Sequence, residues 1–305
     1  GTLKMTGDNT YSGGTTVNAG TLRAATSSAI TSGSIDNGPF GKGMVTVKDG
    51  AVLDLGGNDL TNDLSLTGSG ISNGGALIAG SSAVTLDGDI ALGPTTTIYA
   101  DRNLTLKGTL KVKDAGTAMA LTLDGEGDVL VDGAQTIEAD TTITSASGAL
   151  TFKGGIDAAD DADSSALTLN NSGELTLNGV IGGQIALSAL DIKHDATIAA
   201  DVTTTGNQSY GGAITVTSEA ANFLATAGNI AFSDIISAGP ADSEGTKLNI
   251  NAQDGDIEFD GNVTANQLEA KANVLTASGD DISASLMNVE VGGQSVLSSD
   301  LNIGT

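Results

Sequence analysis

The amino-acid sequence predicts an all-β fold, a parallel and right-handed β-helix solenoid of roughly 12–15 coils. Three observations predict it: a recurring strand phrase, a high glycine content and a shortage of aromatic residues. The chain has 305 residues, of which 43 are glycine and 3% are aromatic, with no tryptophan and no cysteine. Its interior must therefore be built from Val, Ile, Leu and Ala, which suits thin stacked layers better than a thick globular core.

The strand phrase alternates apolar and polar residues and closes on glycine, as in Val84-Thr85-Leu86-Asp87-Gly88. Further copies begin at residues 104, 121, 150, 175 and 257, and the steps from 84 to 175 are 20, 17, 29 and 25 residues. Alternation with a period of two is the signal of a β-strand. A recurring unit near 20 residues indicates a solenoid, in which each turn of the coil stacks on the one before. A sandwich or barrel, the other all-β options, would not need this recurring period.

We predict a single domain over residues 1–305, with loops that project where glycine, proline or aspartate interrupts the rhythm. The predicted loops lie near residues 26–43, 156–165 and 237–245.

The opening segment is more specific than the periodicity. Residues 1–22 read G-T-L-K-M-T-G-D-N-T-Y-S-G-G-T-T-V-N-A-G-T-L, which closely resembles the autotransporter-associated β-strand repeat. The resemblance is clear over residues 1–110, and residues 111–305 follow it as degenerate coils. It implies a β-helical passenger region of a bacterial surface or secreted protein, located outside the cell.

The hallmark of this repeat also has a physical interpretation. Tyr11, Gly13 and Gly14 are expected at a boundary between strand and turn, where glycine permits close backbone approach. Tyr11 is expected to cover that turn; the alternative is that its ring stacks on a ligand.

Charge excludes two classes of partner. The chain has 12 basic and 37 acidic residues and a formal net charge of −25. We therefore expect no nucleic-acid binding, because phosphate contacts need basic side chains. Docking on anionic lipid is disfavoured for the same reason, and no apolar run is long enough to cross a membrane.

Catalysis is not expected, although some β-helices cleave acidic polysaccharides. Such sites combine clustered carboxylates with a basic residue that takes a proton, and the only arginines are Arg23 and Arg102. His194 is the one imidazole, followed by Asp195. It could belong to a Ser-His-Asp arrangement, but an exposed residue on a charged strand edge is the favoured interpretation. We predict no catalytic, cofactor-binding or metal-binding residue.

Calcium is the one cofactor alternative. The segment Asp157–Asp163 carries four carboxylates, at positions 157, 160, 161 and 163. Their mutual repulsion would be relieved by a hard cation, but the spacing is not that of an EF-hand. A solvated acidic loop is therefore the favoured interpretation.

The leading functional hypothesis is a structural or adhesive extracellular rod that spaces and displays loops. The alternative is a subunit of a self-assembling extracellular filament or layer, and a third option is a polysaccharide-degrading enzyme. Neither end of the sequence looks capped, so the expected partners are flanking coils of the same parent chain or neighbouring subunits joined end to end. A host-surface or matrix partner, whose identity the sequence does not indicate, is the other option.

Overall fold

The computed structural model describes residues 1–112, 117–160, 165–239, 246–279, 281–293, 295–297 and 300–303. The predicted all-β fold is confirmed, because parallel strands stack in a β-solenoid of about 12 turns. Among the described residues the only helical element is a short 3-10 turn over Ile71–Asn73.

Backbone contacts divide the chain into two compact units. Unit 1 comprises 1–154 and 171–173, and unit 2 comprises 155–170 and 174–305. The single domain over residues 1–305 stays a prediction.

Most strands of unit 1 are short because each spans a single face of a coil, whereas the ten-residue strand Ile90–Tyr99 continues across two faces. The strands are β1 Thr2–Met5, β2 Thr15–Val17, β3 Gly20–Ala24, β4 Ala29–Thr31, β5 Ser34–Asn37, β6 Val45–Val47, β7 Ala51–Asp54, β8 Leu64–Gly68, β9 Leu77–Ile78, β10 Val84–Leu86, β11 Ile90–Tyr99, β12 Leu104–Leu106, β13 Leu110–Val112, β14 Met119–Asp124, β15 Val129–Val131, β16 Gln135–Ile137, β17 Thr141–Ser145 and β18 Leu150–Phe152. Three parallel ladders result: β1, β3, β7, β9, β11, β14 and β17; β2, β6, β8, β11 and β13; and β10, β12, β15 and β18.

Strand register shows which copies of the phrase are equivalent. Val84, Leu104, Val129 and Leu150 are successive register partners, so the chain returns to this ladder after 20, 25 and 21 residues. Leu121, which begins another copy, pairs in a different ladder. The steps of 17 and 29 residues on either side of it are therefore wrong as repeat lengths. The same phrase serves two faces of the coil, because both faces bury alternate residues.

Unit 2 is built in the same way. Its strands are β19 Ile156–Ala158, β20 Ala166–Asn171, β21 Leu175–Leu177, β22 Ala189–Ile192, β23 Ala196–Ile198, β24 Val202–Thr204, β25 Gln208–Tyr210, β26 Ile214–Val216, β27 Ala220–Ala225, β28 Ile230–Phe232, β29 Ile236–Ala238, β30 Lys247–Ala252, β31 Ile257–Phe259, β32 Val263–Ala272, β33 Leu275–Ala277, β34 Asp281–Val291, β35 Val296–Leu297 and β36 Asp300–Ile303. Its parallel ladders are β20, β22, β25, β28, β31, β33 and β35; β24, β27, β30, β32 and β34; and β21, β23, β26, β29, β32, β34 and β36.

Unit 2 contains a column of aromatic rings in its core. Tyr210 stacks on Phe232 with ring centroids 4.7 Å apart, and Phe232 stacks on Phe259 at 5.7 Å. Phe223 meets Tyr210 edge to face at 5.6 Å. The Tyr210 hydroxyl donates to Gln208 Oε1 at 2.8 Å, so its polar end is satisfied inside the core. Burial raises the pKa of the Tyr210 phenol well above its ordinary value.

Glycines stack on one another where successive coils turn. A Cβ on Gly148 would lie 2.0 Å from the carbonyl oxygen of Gly127, and one on Gly228 would lie 2.2 Å from the carbonyl carbon of Gly206. No side chain fits at such distances, so the turn positions are restricted to glycine by the backbone of the preceding coil. This close approach accounts for part of the high glycine content.

Side-chain oxygens of Asp and Asn join successive turns. In unit 1, Asp63 Oδ1 accepts from the Asp89 amide at 2.9 Å, and Asp89 Oδ1 accepts from the Thr109 amide at 2.9 Å. In unit 2, Asn207 Oδ1 accepts from the Asn229 amide at 2.9 Å, and Asn229 Oδ1 accepts from the Asp256 amide at 2.9 Å. Each side chain satisfies a backbone donor of the next coil that the strand ladder leaves free.

Two of the predicted loops, 156–165 and 237–245, overlap strands. Ile156–Ala158 and Ile236–Ala238 are strands whose first and last residues are buried. Both loops therefore begin later than predicted, because alternate apolar side chains at these positions pack into the interior. Residues 161–164 and 240–245 lie outside the described residues.

Candidate functional site: a projecting hairpin

The predicted loop at residues 26–43 contains an antiparallel hairpin of β4 and β5, which we call the hairpin. It departs from the parallel coil because its sequence, A-I-T-S-G-S-I-D-N, does not place an apolar residue at every second position. Most of its residues are exposed, and the Ile30 side chain is 47% exposed. The hairpin is therefore a surface feature of unit 1.

Its turn is built for a tight reversal. Ser32 has φ of 53° and Gly33 has φ of 81°. Two consecutive residues with positive φ form the two-residue turn that matches the twist of a β-hairpin. Glycine adopts this conformation without steric cost, whereas Ser32 is a rare non-glycine residue there.

Asn9 fastens the end of the hairpin. Its backbone exchanges hydrogen bonds with Gly38, at 2.9 Å from the Asn9 amide to the Gly38 oxygen and 3.1 Å in the reverse direction. The Asn9 side chain also donates from Nδ2 to the Pro39 carbonyl at 2.8 Å. Three hydrogen bonds from one residue fix the backbone at residues 38–39.

Phe40 anchors the segment that follows the hairpin. Its side chain is 0% exposed. The buried Asn62 amide holds the chain beside it, because Nδ2 donates to the carbonyls of Gly41 at 3.1 Å and Gly43 at 2.7 Å. The buried Phe40 side chain and the Asn62 amide thus hold residues 38–43, which we call the base of the hairpin.

Tyr11 lies across the same base. A Cβ on Gly41 would be 2.5 Å from Tyr11 Cε2, so the ring packs directly on this glycine, which has φ of 68°. The Tyr11 hydroxyl and Thr15 Oγ1 are 2.8 Å apart, and the Tyr11 carbonyl accepts from the Lys42 amide at 2.9 Å. The ring therefore packs on Gly41; that it covers the turn at Gly13 and Gly14 stays a prediction.

The segment that precedes the hairpin, residues 27–28, is hydrogen-bonded to the next coil. The Ser28 amide donates to the Asp59 carbonyl at 3.1 Å, and Ser28 Oγ accepts from the Thr61 amide at 3.3 Å. Ser27 Oγ accepts from the Asp59 amide at 3.0 Å. The segments on both sides of the hairpin are thus held by hydrogen bonds, while the hairpin between them is exposed.

The exposed surface of the hairpin is nearly neutral. Asp36 is its only ionisable residue, and Ile30 and the hydroxyls of Thr31, Ser32 and Ser34 make up most of the rest. This surface can make apolar contacts and hydrogen bonds, but it holds no group arranged for proton transfer.

The candidate residues weighed for chemistry lie elsewhere. His194 is exposed, and its Nε2 lies 3.1 Å from Asn170 Oδ1. Asp195, the acidic neighbour considered for a triad, accepts from the Ala213 amide at 2.9 Å. The structure therefore places these two residues in separate hydrogen bonds on the surface of unit 2.

The acidic segment 157–163 is only partly described. Asp157 Oδ1 accepts from the Gln184 amide at 2.8 Å, so this carboxylate is used between coils. Asp161 and Asp163 lie outside the described residues. Within the described part of the chain, no group of three acidic or histidine side chains is placed to hold a metal ion.

Sequence reasoning missed most residues of the base. Asn9 carries a signal, since it belongs to the N-T-Y part of the hallmark. Asn62 and Ser28 carry none, because hydrogen bonds between residues 19 to 33 positions apart fix their roles, and the burial of Phe40 has no local signal either.

Comparison with known families supports the resemblance. Residues 1–24 match the family model of the passenger-associated-transport-repeat, and this segment includes Asn9, Tyr11 and Thr15. No curated protein and no solved structure matches the chain. Among the described residues, no helix is long and apolar enough to cross a membrane. The repeat at residues 1–24 and the β-solenoid fold are thus similar to those of an autotransporter passenger, and this family suggests a secreted or surface protein.

Proposed function

We propose that the chain is a structural and adhesive module at the bacterial cell surface, in which the solenoid displays the hairpin to a partner. The observation that carries this proposal is the contrast between the exposed hairpin and its fixed base. Ile30 is 47% exposed, whereas Phe40, ten positions further on, is 0% exposed.

A fixed base favours binding for a physical reason. Ordering a loop on binding costs conformational entropy, and a loop held in advance avoids much of that cost. The hydrogen bonds from Asn9, Ser28 and Asn62 hold both legs of the loop. The formal net charge of −25 keeps such modules soluble and apart from each other, while the nearly neutral hairpin remains open to contact.

The partner is proposed to be a host-surface or matrix component. Association with flanking coils or neighbouring subunits, in a filament or layer, is the alternative, and it would use the terminal coils, stacked end to end, rather than the hairpin. The absence of catalysis and of a dedicated calcium site stay predictions.

The test compares two equally exposed isoleucines in unit 1. Ile30→Asp places a charge on the hairpin, whereas Ile71→Asp places one on a residue that is 46% exposed and lies outside it. Beads coated with each variant are counted on immobilised matrix proteins and on host-cell monolayers, and circular dichroism verifies the fold. We expect Ile30→Asp to reduce attachment at least tenfold and Ile71→Asp to leave it within twofold. Equal attachment by both variants, or by wild-type and uncoated beads, would refute the proposal.

A further inference from the structure

A cavity of about 330 Å³ opens on the outer face of β27, β30 and β32 in unit 2. We call this surface the amide face, because asparagines dominate its polar lining. The side chains used in the argument are Asn222, Leu224, Asn249, Asn251, Glu269 and Lys271.

The asparagines form a chain of hydrogen bonds with a direction. Asn222 Nδ2 donates to Asp201 Oδ1 at 2.9 Å, and Asn249 Nδ2 donates to Asn222 Oδ1 at 2.6 Å. To continue this row of hydrogen bonds, Asn249 Oδ1 needs a donor of its own. The register partner on the next strand is Glu269, and a carboxylate accepts but does not donate. Asn249 Oδ1 is therefore left without a partner.

A second acceptor in the cavity is in the same condition. Asn251 Oδ1 is buried and has no hydrogen-bond partner among the described residues, like Asn249 Oδ1. Its register neighbours are Leu224 and Lys271. Leu224 offers no donor, and the Lys271 ammonium lies 3.3 Å from Glu290 Oε1 instead. Buried acceptors are nearly always satisfied in native proteins, so two together indicate a place for an external donor.

A neighbouring cavity shows that polar lining alone is not the signal. A cavity of about 350 Å³ on β25, β28 and β31 is also lined by asparagine and acidic side chains. There, however, backbone amides occupy the acceptors, as in the bond from the Asn229 amide to Asn207 Oδ1 at 2.9 Å. The amide face differs because the oxygens of Asn249 and Asn251 have no donor.

The charges of the amide face favour a neutral ligand. Glu269 pairs with Lys247 at 2.8 Å, and Lys271 pairs with Glu290, so no ionic group is left for a charged ligand. A calcium ion prefers several carboxylate and carbonyl oxygens, whereas here one carboxylate is already paired and an ammonium lines the cavity. Hydroxyl groups fit better, because they donate to amide oxygens and accept from ammonium groups.

We propose that the amide face binds a neutral saccharide chain. Its hydroxyls donate to Asn249 Oδ1 and Asn251 Oδ1 and accept from Lys271 Nζ, while an apolar sugar face lies on Leu224. Leu224, Asn251 and Lys271 are register partners on three successive coils, whose strands are about 4.8 Å apart, and this regular step suits a repeating chain. This site is in unit 2, and the proposal does not rest on the function of the hairpin.

The test uses three neutral probes, cellohexaose, maltohexaose and hexa-N-acetylchitohexaose, titrated into the isotope-labelled chain. We expect at least one probe to give saturable NMR shifts of the side-chain amides of Asn249 and Asn251. Asn251→Leu removes the unpartnered oxygen and should weaken binding at least tenfold. The same substitution should leave the melting temperature unchanged or raise it, because a buried acceptor without a donor is removed. Asn18→Leu, at an exposed asparagine of unit 1, should leave the affinity within twofold.

Three outcomes would overturn the proposal. One is the absence of saturable shifts with every probe, and another is equal binding by Asn251→Leu and wild type. The third applies if Asn251→Leu unfolds the chain, in which case Asn251→Ala is tested instead. Binding by Asn251→Ala as tight as that of wild type would then overturn the proposal. Ile30→Asp is titrated in parallel and should bind like wild type, which separates this site from the hairpin.

Discussion

The two units build the same coil from different side chains. In unit 1 the inward column of Leu86, Leu106 and Val131, on the ladder of β10, β12 and β15, is aliphatic, and Phe152 is its next member. In unit 2 the column of Tyr210, Phe232 and Phe259 places three rings in register. A solenoid interior is thus set by side-chain alternation and stacking rather than by one kind of residue.

The units also differ in the Asp and Asn side chains that join their turns. Unit 1 uses carboxylates such as Asp63 and Asp89, whereas unit 2 also uses amides such as Asn207 and Asn229. Both place one Oδ1 on a backbone amide of the next coil at 2.9 Å. The geometry therefore requires an oxygen acceptor and not a charge.

The largest expected effect comes from removing the middle ring of unit 2. Phe232→Ala should lower the free energy of unfolding by about 3–5 kcal/mol, because it leaves a large cavity in the core and breaks two ring stacks. Denaturant unfolding measures the loss, and hydrogen exchange of the Ile230 and Ile257 amides locates it in unit 2.

Phe152→Ala is the matched control in unit 1. Phe152 is equally buried, at 2% exposed against 1% for Phe232, and no ring contact joins it among the described residues. It should cost less by about 0.5–1.5 kcal/mol, the contribution of aromatic pairing beyond burial. Equal losses would mean that the ring column adds nothing beyond its volume.

The second largest effect tests a feature that both units share, the packing of turn glycines on the backbone of the preceding coil. Gly148→Ala in unit 1 and Gly228→Ala in unit 2 should each lower the free energy of unfolding by about 1–3 kcal/mol, because the new methyl group meets the backbone of the preceding coil. Gly13→Ala is the control, since a Cβ there meets no atom within 4 Å, and it should change stability by at most about 1 kcal/mol. Thermal unfolding of the three variants checks this order. If Gly148→Ala leaves the stability unchanged, the backbone of the preceding coil does not restrict this position to glycine.

Much of the fold can be predicted from the sequence because strand alternation is local. Val84–Leu86 and Leu104–Leu106 are strands as the phrase indicates, and the fold class follows from their recurrence. Register cannot be predicted in this way, since the phrase at Leu121 has the same pattern but belongs to another ladder. Only the packing of whole coils distinguishes the two faces.

The candidate site is less predictable for a related reason. Glycine and proline mark a loop near residues 26–43, but the hairpin within it depends on contacts to distant coils. Asn62 reaches back 21 residues to Gly41, and nothing in the local sequence around Asn62 indicates this role. The amide face is hidden in the same way, because Asn222 and Asn249 meet only after a full coil of 27 residues.

The smallest expected effect distinguishes the carboxylate turns of unit 1 from the amide turns of unit 2 by pH. The Lys111 ammonium, 2.5 Å from Asp89, and the Thr109 amide lower the pKa of Asp89 below its ordinary 3.8. A carboxyl whose folded pKa is depressed contributes stability above its unfolded pKa, and this contribution is lost as the pH falls from about 4 through the folded pKa. The side chains of Asp89 and Lys111 are nearly half exposed, so solvent screening limits the contribution to at most about 1 kcal/mol. The hydrogen-exchange protection factor of the Thr109 amide, which corrects for the intrinsic pH dependence of exchange, and its NMR shift should therefore change on acidification and follow the Asp89 titration. The Asn229 amide, which donates to the non-ionisable Asn207, should not change over that range, and Asp89→Asn should abolish the response at Thr109. If both amides respond in parallel, acid acts on the whole fold and the carboxylate turn has no separate contribution.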